Sequence, residues 1–420
     1  MHPFFTLLYN LAIQCYYAGI VIAAPWNSKA KQWLNGRKNQ FALLQNTLQE
    51  DEQRIWFHCA SAGEFEQGRP VMEACKKRWP QHKILLTFFS PSGYELRKNY
   101  AGADYVFYLP LDTGGNAQQF VSLVKPAAVI IVKYEFWYHH LQVLHKQGIP
   151  VLLISAIFRK NQLFFTWYGN PWRKVLHLFQ HIFIQDQQSL QLLHSIDIEH
   201  AGIAGDTRFD RVWEIAQHPQ VLPIIQSFKG NSHLFVAGST WPEDEKLLAD
   251  LIRMNPPQWK FLIVPHELKP LHLTALINRF KEEAILYSSA TVENCTSKRI
   301  LVVDAIGLLS SIYSYGNMAY TGGGFGKGIH NVLEAAVFGL PVIFGPNYHK
   351  FNEAVALLAN NGAIAVHTAG ELHEGFDQFN EQADEVHTIN RNFIAANKGA
   401  TDRIMAYLTP IIEDTGASAT

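Results

Sequence analysis

Glu64 follows Ser61-Ala62-Gly63, just past the apolar run RIWFHCA. A carboxylate at a strand-to-helix turn can take a proton from an attacking hydroxyl. It can equally be an ordinary first-turn acid favoured by the helix dipole. A second group with chemical potential is TGGGFGKGIHNVLEAAVFGLPVIFGP, residues 321–346. Glycines let a backbone come close to a ligand, and free N–H groups at a helix start favour an anion. Two familiar phosphate loops do not fit. A Walker A loop needs Ser or Thr where Gly328 stands, and a G-x-G-x-x-G register begun at Gly322 and Gly324 ends on Lys327. A tight turn without a ligand satisfies the same glycines. Glu334 shares a helix face with His330 and Asn331. A carboxylate there could accept both hydroxyls of a ribose whose phosphate sits at the helix start, or simply face solvent.

Positioning these residues requires strands that end beside them. After residue 53 short apolar runs alternate with helical patterns. RIWFHCA, KILLTFF, YVFYLP, AAVIIV, VLLISA and HIFIQD read as buried parallel strands. Helices are expected between them at 66–78, 116–124, 137–146 and 187–195. A second series follows: HLFVAG, KFLIVP, RILVVD, NMAYTG, LPVIFG and GAIAV, with helices at 243–253, 329–338 and 351–361. Two βαβ series predict an α/β protein with two doubly wound Rossmann-like domains. Their join falls within 205–232. Ligands in such sheets bind beyond the C-terminal strand ends. Ser61–Glu64, Lys133-Tyr134-Glu135, Ser239-Thr240, Pro265-His266 and the glycine cluster all occupy such ends. Two rims facing across an interdomain cleft are therefore the expected site. Turns and helix caps use the same residue types.

The 420 residues are 48% hydrophobic, enough for two cores, and the net charge of −1 argues against a nucleic-acid partner. The 4 cysteines form no CxxC pair, and the 19 histidines include no HExxH, so no metal ligand set is nominated. Residues 4–24, FFTLLYNLAIQCYYAGIVIAA, carry no charge and would span about 30 Å as a helix. A signal peptide lacks support, because no basic segment precedes them. Lys29, Lys31, Arg37 and Lys38 follow with no acid between, a flank that stays cytoplasmic. Asn10, Gln14 and three tyrosines dilute the apolarity, so the segment reads as a membrane anchor that either spans or lies in the interface.

The stretches ASAGEFEQGRPVMEA, YEFW, IPVLLISAIFR, GDTRFDRV, AGSTWPEDE and GGGFGKGIHNVLEAAVFGLPVIFGPNYHKFNEA, with the N-terminal segment, resemble the 3-deoxy-D-manno-octulosonic acid (Kdo) transferases. The motifs run in family order from the anchor to about residue 353. The resemblance implies a GT-B fold: an anchor over 1–27, an acceptor domain over 28–205 and a CMP-Kdo domain over 206–420. The last helix of such enzymes usually returns to the first domain. It also implies an inverting, metal-independent inner-membrane enzyme, facing the cytoplasm, that moves Kdo from CMP-Kdo to a lipid A precursor without a cofactor.

Carried over by position, Glu64 matches the family's base, Glu135 the acid of a TELW-like motif and Arg208 a basic residue of a GNLK-like motif. Ser61 and Gly63 accompany Glu64. Ser239, Thr240, His266, Gly322, Gly323, Gly324, Gly326, Lys327, His330, Asn331 and Glu334 fall on the nucleotide side. The implied roles are phosphate binding for the glycine cluster and ribose binding for Glu334. Three positions depart from the family. Trp241 stands where His is frequent, Pro265-His266 lacks the arginine of a PRH motif, and Tyr138 replaces a proline. Competing readings are a sugar-nucleotide epimerase of the same fold, another lipid glycosyltransferase, and a tethered nucleotide-binding module without catalysis. An epimerase needs no anchor and would act without an acceptor.

Overall fold

The computed structural model describes residues 3–255 and 258–417. Met1 and His2 of the expected anchor, and 418–420 at the chain end, lie outside the described residues. The chain divides into two units, Met1–Asp210 with Gly399–Thr420, and Arg211–Lys398.

Unit 1 is built on β1 (Arg54–Cys59), β2 (Lys83–Phe88), β3 (Tyr105–Tyr108), β4 (Pro126–Val132), β5 (Val151–Ala156), β6 (His181–Ile184) and β7 (Ala201–Ile203). They form one sheet in the order β3-β2-β1-β4-β5-β6-β7, and every neighbouring pair is parallel. Unit 2 carries β8 (His233–Thr240), β9 (Trp259–Pro265), β10 (Ala284–Leu286), β11 (Ile300–Val302), β12 (Met318–Thr321), β13 (Val342–Phe344) and β14 (Ala363–Ala365). Their order is β10-β11-β9-β8-β12-β13-β14, again parallel throughout. Strand order reverses between β1 and β4 in one sheet and between β8 and β12 in the other. A crevice beyond the strand ends is expected at such a switch point.

Burial on both faces explains the unbroken apolar strands. All six residues of β1 are buried. One face of the first sheet packs Phe65 and Met72 of the Ala62–Arg78 helix with Ile404 and Leu408 of the Ala400–Ala417 helix. The Ala400–Ala417 helix therefore belongs to the core of unit 1. The other face gathers Trp56, Phe120, Tyr138 and Leu141 with Tyr9 and Ile13 from the N-terminal helix, Pro3–Ala23.

That helix divides its apolar surface. Tyr9 and Ile13, four residues apart, are buried against unit 1, and Phe5 meets Trp172 edge-on at 5.3 Å. Tyr9 donates to Asp112 Oδ2 at 2.5 Å. Phe4, Leu7, Leu11 and Ile22 are exposed by 62, 65, 59 and 67%. The helix is long and apolar enough to cross a membrane by length and composition.

Three features depart from the sequence-based expectation. β7 and β10, of three residues each, were not expected; β7 has no buried residue and β10 only one, so neither stands out as a buried apolar run. Ser28–Gly36 and Gln40–Thr47 form helices in the basic flank. The helix expected at 329–338 shrinks to Leu333–Ala336. Its first residues are drawn into the glycine loop, since Ile329 N–H donates to Asn347 O and His330 N–H to Gly322 O.

Candidate functional site

In unit 1 the loop after β1 leads directly into the Ala62–Arg78 helix, so Glu64 stands in its first turn. Ser61 is the N-cap. Its hydroxyl accepts from Glu64 N–H at 3.4 Å, and Glu64 Oε2 accepts from Ser61 N–H at 3.1 Å. This reciprocal box gives the acid a structural role beyond the first-turn dipole contact expected from sequence. It also fixes the carboxylate at the switch point. A side chain added at Gly63 would come near only Ser61 Oγ, so the turn beside Glu64 lies open. Burial, followed by repulsion from Glu135, pushes the Glu64 carboxyl above the usual range; His58 and the amides of Ala60 and Ser61 pull it the other way.

Glu135 lies past the end of β4. There Lys133 is in the left-handed region at φ 67°, as is Ser239 (φ 54°) on β8 at the switch point of the other sheet. Glu135 Oε2 accepts from Trp137 Nε1 at 2.6 Å and lies 3.3 Å from His58 Nε2. His58 is 1% exposed, and its Nδ1 is 2.8 Å from Thr87 Oγ1. His58 was not nominated from sequence. A lone polar ring within the apolar run RIWFHCA was the available signal. Arg208 lies on the Thr207–Gln217 helix and binds Asp206 with Nε and Nη2, at 2.9 and 2.6 Å to Oδ2. Asp206 also accepts from Gln67 Nε2 at 3.4 Å, tying this pair to the Glu64 helix.

In unit 2 the glycine cluster follows β12 at the second switch point. Close backbone approach accounts for two of its members. A Cβ on Gly322 would collide with the Ser239 carbonyl, and one on Gly324 with Gly345. Many of the loop amides are already satisfied. Gly323 N–H donates to Asp244 Oδ2 at 2.9 Å, Gly322 N–H to Gly238 O, and Gly326 and Gly328 N–H to Gly323 O. Gly324, Phe325 and Lys327 keep amides with no internal acceptor among the described residues. The phosphate cradle expected from the whole loop thus narrows to these three, and the four-residue helix behind it contributes little dipole. Thr240 is fully buried and its hydroxyl donates to Glu245 at 3.0 Å, so it faces inward. Glu334 is half-buried, with Asn331 Nδ2 donating to its Oε1 at 3.1 Å.

His266, His330 and Trp241 come together at the same rim. The Trp241 and His266 rings stack at 4.7 Å, His266 and His330 at 4.4 Å, and Trp241 Nε1 donates to His330 Nε2 at 3.2 Å. Burial, with His266 adding to it, lowers the His330 pKa to about 4, so this imidazole is neutral at physiological pH.

The family model described as 3-deoxy-D-manno-octulosonic-acid transferase (kdotransferase) matches residues 35–211. The chain is 28% identical to the 3-deoxy-D-manno-octulosonic acid transferase of Aquifex aeolicus over 338 residues, 77% of this chain and 86% of that one. It is 25% identical to the Haemophilus influenzae protein of the same name over 405 residues, 92% and 93% of the two chains. The family model and these relatives support a place for the chain in the Kdo transferase family. Its fold is GT-B. A solved structure with this architecture is the UDP-GlcNAc 2-epimerase of Neisseria meningitidis bound to UDP-GlcNAc: TM-score 0.59, 16% identity, 85% of this chain and 100% of that one. At that identity the likeness concerns the fold alone.

The departures of this chain from the Kdo transferase motifs have local structural counterparts. Tyr138, in place of proline, packs edge-on to Tyr9 at 5.5 Å and donates its backbone N–H to the Tyr9 hydroxyl at 3.3 Å. A proline could not make that bond. Trp241 supplies an indole donor to His330, and His266 stacks between these two rings where the motif would offer an arginine beside it.

Proposed function

We propose that this chain is a Kdo transferase, an inverting glycosyltransferase acting on CMP-Kdo and a lipid A precursor of lipid IVA type, in lipopolysaccharide core biosynthesis. Glu64 is its general base. The observation that carries the reading is the Glu64 carboxylate at the β1/β4 switch point, fixed by Ser61 and made more basic by burial and Glu135. In the reaction an acceptor hydroxyl attacks the anomeric carbon of Kdo. Its proton passes to Glu64, the bond from that carbon to the phosphate oxygen breaks, and CMP leaves with the electron pair. Attack from the face opposite the leaving group inverts the centre.

On the donor side, the amides of Gly324, Phe325 and Lys327 and the Lys327 ammonium suit the phosphate. Glu334 suits the ribose hydroxyls. Glu135 acts on Glu64 as a neighbouring charge, and Arg208 lies against the Glu64 helix through Asp206 and Gln67. The exposed apolar stripe of the N-terminal helix suits a membrane surface on the cytoplasmic side, where its basic flank would remain.

Mass spectrometry of lipid IVA incubated with enzyme and freshly made CMP-Kdo tests the reading. A Kdo adduct is expected from the parent. Glu64→Gln should lower the rate by roughly 10²–10⁴-fold while binding CMP normally. Turnover of sugar nucleotide without acceptor, and no adduct, would favour an epimerase instead.

A further inference from the structure

His58 sits inside β1 with both ring nitrogens occupied, and the hydrogen positions around it follow from the donors available. Trp56 Nε1 can only donate, and it donates to Thr87 Oγ1 at 2.8 Å. The Thr87 hydrogen is then free to point elsewhere. Phe57 O at 3.3 Å and His58 Nδ1 at 2.8 Å both lie within its reach. A carboxylate oxygen only accepts, so His58 Nε2, 3.3 Å from Glu135 Oε2, carries the hydrogen of that contact. Trp137 Nε1 lies 3.2 Å from His58 Nε2 but 2.6 Å from Glu135 Oε2, so the indole hydrogen also goes to the carboxylate. Two N–H donors, one anchored through Thr87 and Trp56, converge on a single oxygen of Glu135.

We propose that His58 is a positioning residue for the transfer reaction: with Trp137 it clamps Glu135 as an anion beside Glu64, and the clamped charge keeps Glu64 a competent proton acceptor. The inference rests on Glu64 being the base. The charged and titratable groups acting on Glu64 are Glu135, past β4, and His58, on β1. Cys59, buried on β1, and Tyr134, beside Glu135, feel the Glu64 charge in turn. A like charge nearby raises the proton affinity of a carboxylate. With two N–H donors on its Oε2, Glu135 is suited to the role of a fixed acceptor at the end of β4.

The test uses the full-length enzyme with CMP-Kdo and detergent-dispersed lipid IVA. Glu135→Gln, close in shape, should move the acidic limb of the kcat/KM profile to lower pH. It should also lower the plateau, because a weaker base accepts the proton less readily. His58→Leu should lower kcat roughly tenfold with KM for CMP-Kdo within about twofold. His58→Gln, whose amide can still donate to Glu135, should recover most of that loss. An unmoved acidic limb in Glu135→Gln overturns the inference, as does equal damage from Leu and Gln at position 58. If His58→Leu does not fold, the Glu135→Gln profile decides alone. Parental activity in Glu64→Gln would remove the base itself and this inference with it. An inactive Glu64→Gln beside an unmoved limb removes only the role of the clamp.

Discussion

Tyr9 and Asp112 lie 103 residues apart and are joined by a 2.5 Å hydrogen bond in the buried interior of unit 1. Asp112 is fully buried, and three other donors reach it. The amides of His139 and His140 lie at 3.0 Å, and His140 Nδ1 at 2.5 Å. Burial alone would push the Asp112 carboxyl up, but the bonds from His140, Tyr9 and His139 outweigh it and hold it below the usual range. The N-terminal helix is thus fastened to the sheet by a polar bond as well as by apolar packing.

Tyr9→Phe should cost about 1–3 kcal/mol of stability, since it removes one donor from a buried charge. Denaturant unfolding measures it. The pH dependence has a definite sign. A depressed carboxyl contributes stability that is present above its unfolded pKa and lost as pH falls through the folded one. The gap between parent and Tyr9→Phe should therefore narrow on acidification. A gap independent of pH would mean that Tyr9 acts only through packing.

The opposite stripe of that helix should behave differently. Leu7, Leu11 and Ile22 are exposed and contribute little to the core. Replacing all three by Ser should shift the protein from vesicles to the soluble fraction in a flotation assay, with little change in melting temperature. Removing residues 1–24 should do more harm, because it also takes Tyr9 and Ile13 from the core. Unaltered vesicle binding by the triple variant would exclude this stripe as the membrane contact.

Most strands were legible because each is a short buried apolar run between turn residues, and the Glu64 turn was legible because Ser-Ala-Gly-Glu follows one. The box between Ser61 and Glu64 is local and could be anticipated from spacing. His58 could not be assigned in that way. Its partners Thr87, Glu135 and Trp137 come from other segments, brought together by the β1-β2 and β1-β4 pairings. The glycine loop was legible only in part, for the same kind of reason. Asp244, Ser239 and Gly345 meet it from distant positions, taking up an amide or requiring a missing side chain, so several of its glycines serve loop packing. The apolarity of residues 4–24 was legible; its division between core and surface depended on Tyr138 and Asp112.

Glu334→Ala should weaken CMP binding by about 1.5–3 kcal/mol if the ribose contact is charge-assisted. Asn331 would also lose its 3.1 Å acceptor, so Asn331→Ala serves as a control for loop distortion. Titration calorimetry with CMP reads both. An unchanged affinity in Glu334→Ala would take that carboxylate out of the nucleotide site.

Transfer should persist in excess EDTA, because the proposed phosphate contacts are amides and Lys327. Initial rates with and without chelator measure this. Loss of rate restored by Mg²⁺ would replace the amide cradle by a metal-bridged one.

Glu64→Gln should separate catalysis from stability. The Glu64 carboxyl is held above its ordinary value, chiefly by burial and then by Glu135. Such a group contributes stability that is fully present below its unfolded pKa and is lost as pH rises through the folded one. Once ionised, the carboxylate is therefore a burden on the fold, tolerated at a site that needs a base. Glutamine removes the charge and can still accept from Ser61 N–H, so the box that starts the helix survives. The variant should melt at or above the parental temperature at pH 7–8, with the difference closing toward pH 4. In the parent, the acidic limb of kcat/KM should lie above the range of an ordinary glutamate, because only the carboxylate accepts a proton. Melting curves across pH and the pH-rate profile test the two halves separately. A Glu64→Gln variant less stable than the parent at pH 8 would show that the carboxylate is chiefly a helix cap, and an acidic limb at the ordinary glutamate position would show that its neighbours do not raise its basicity.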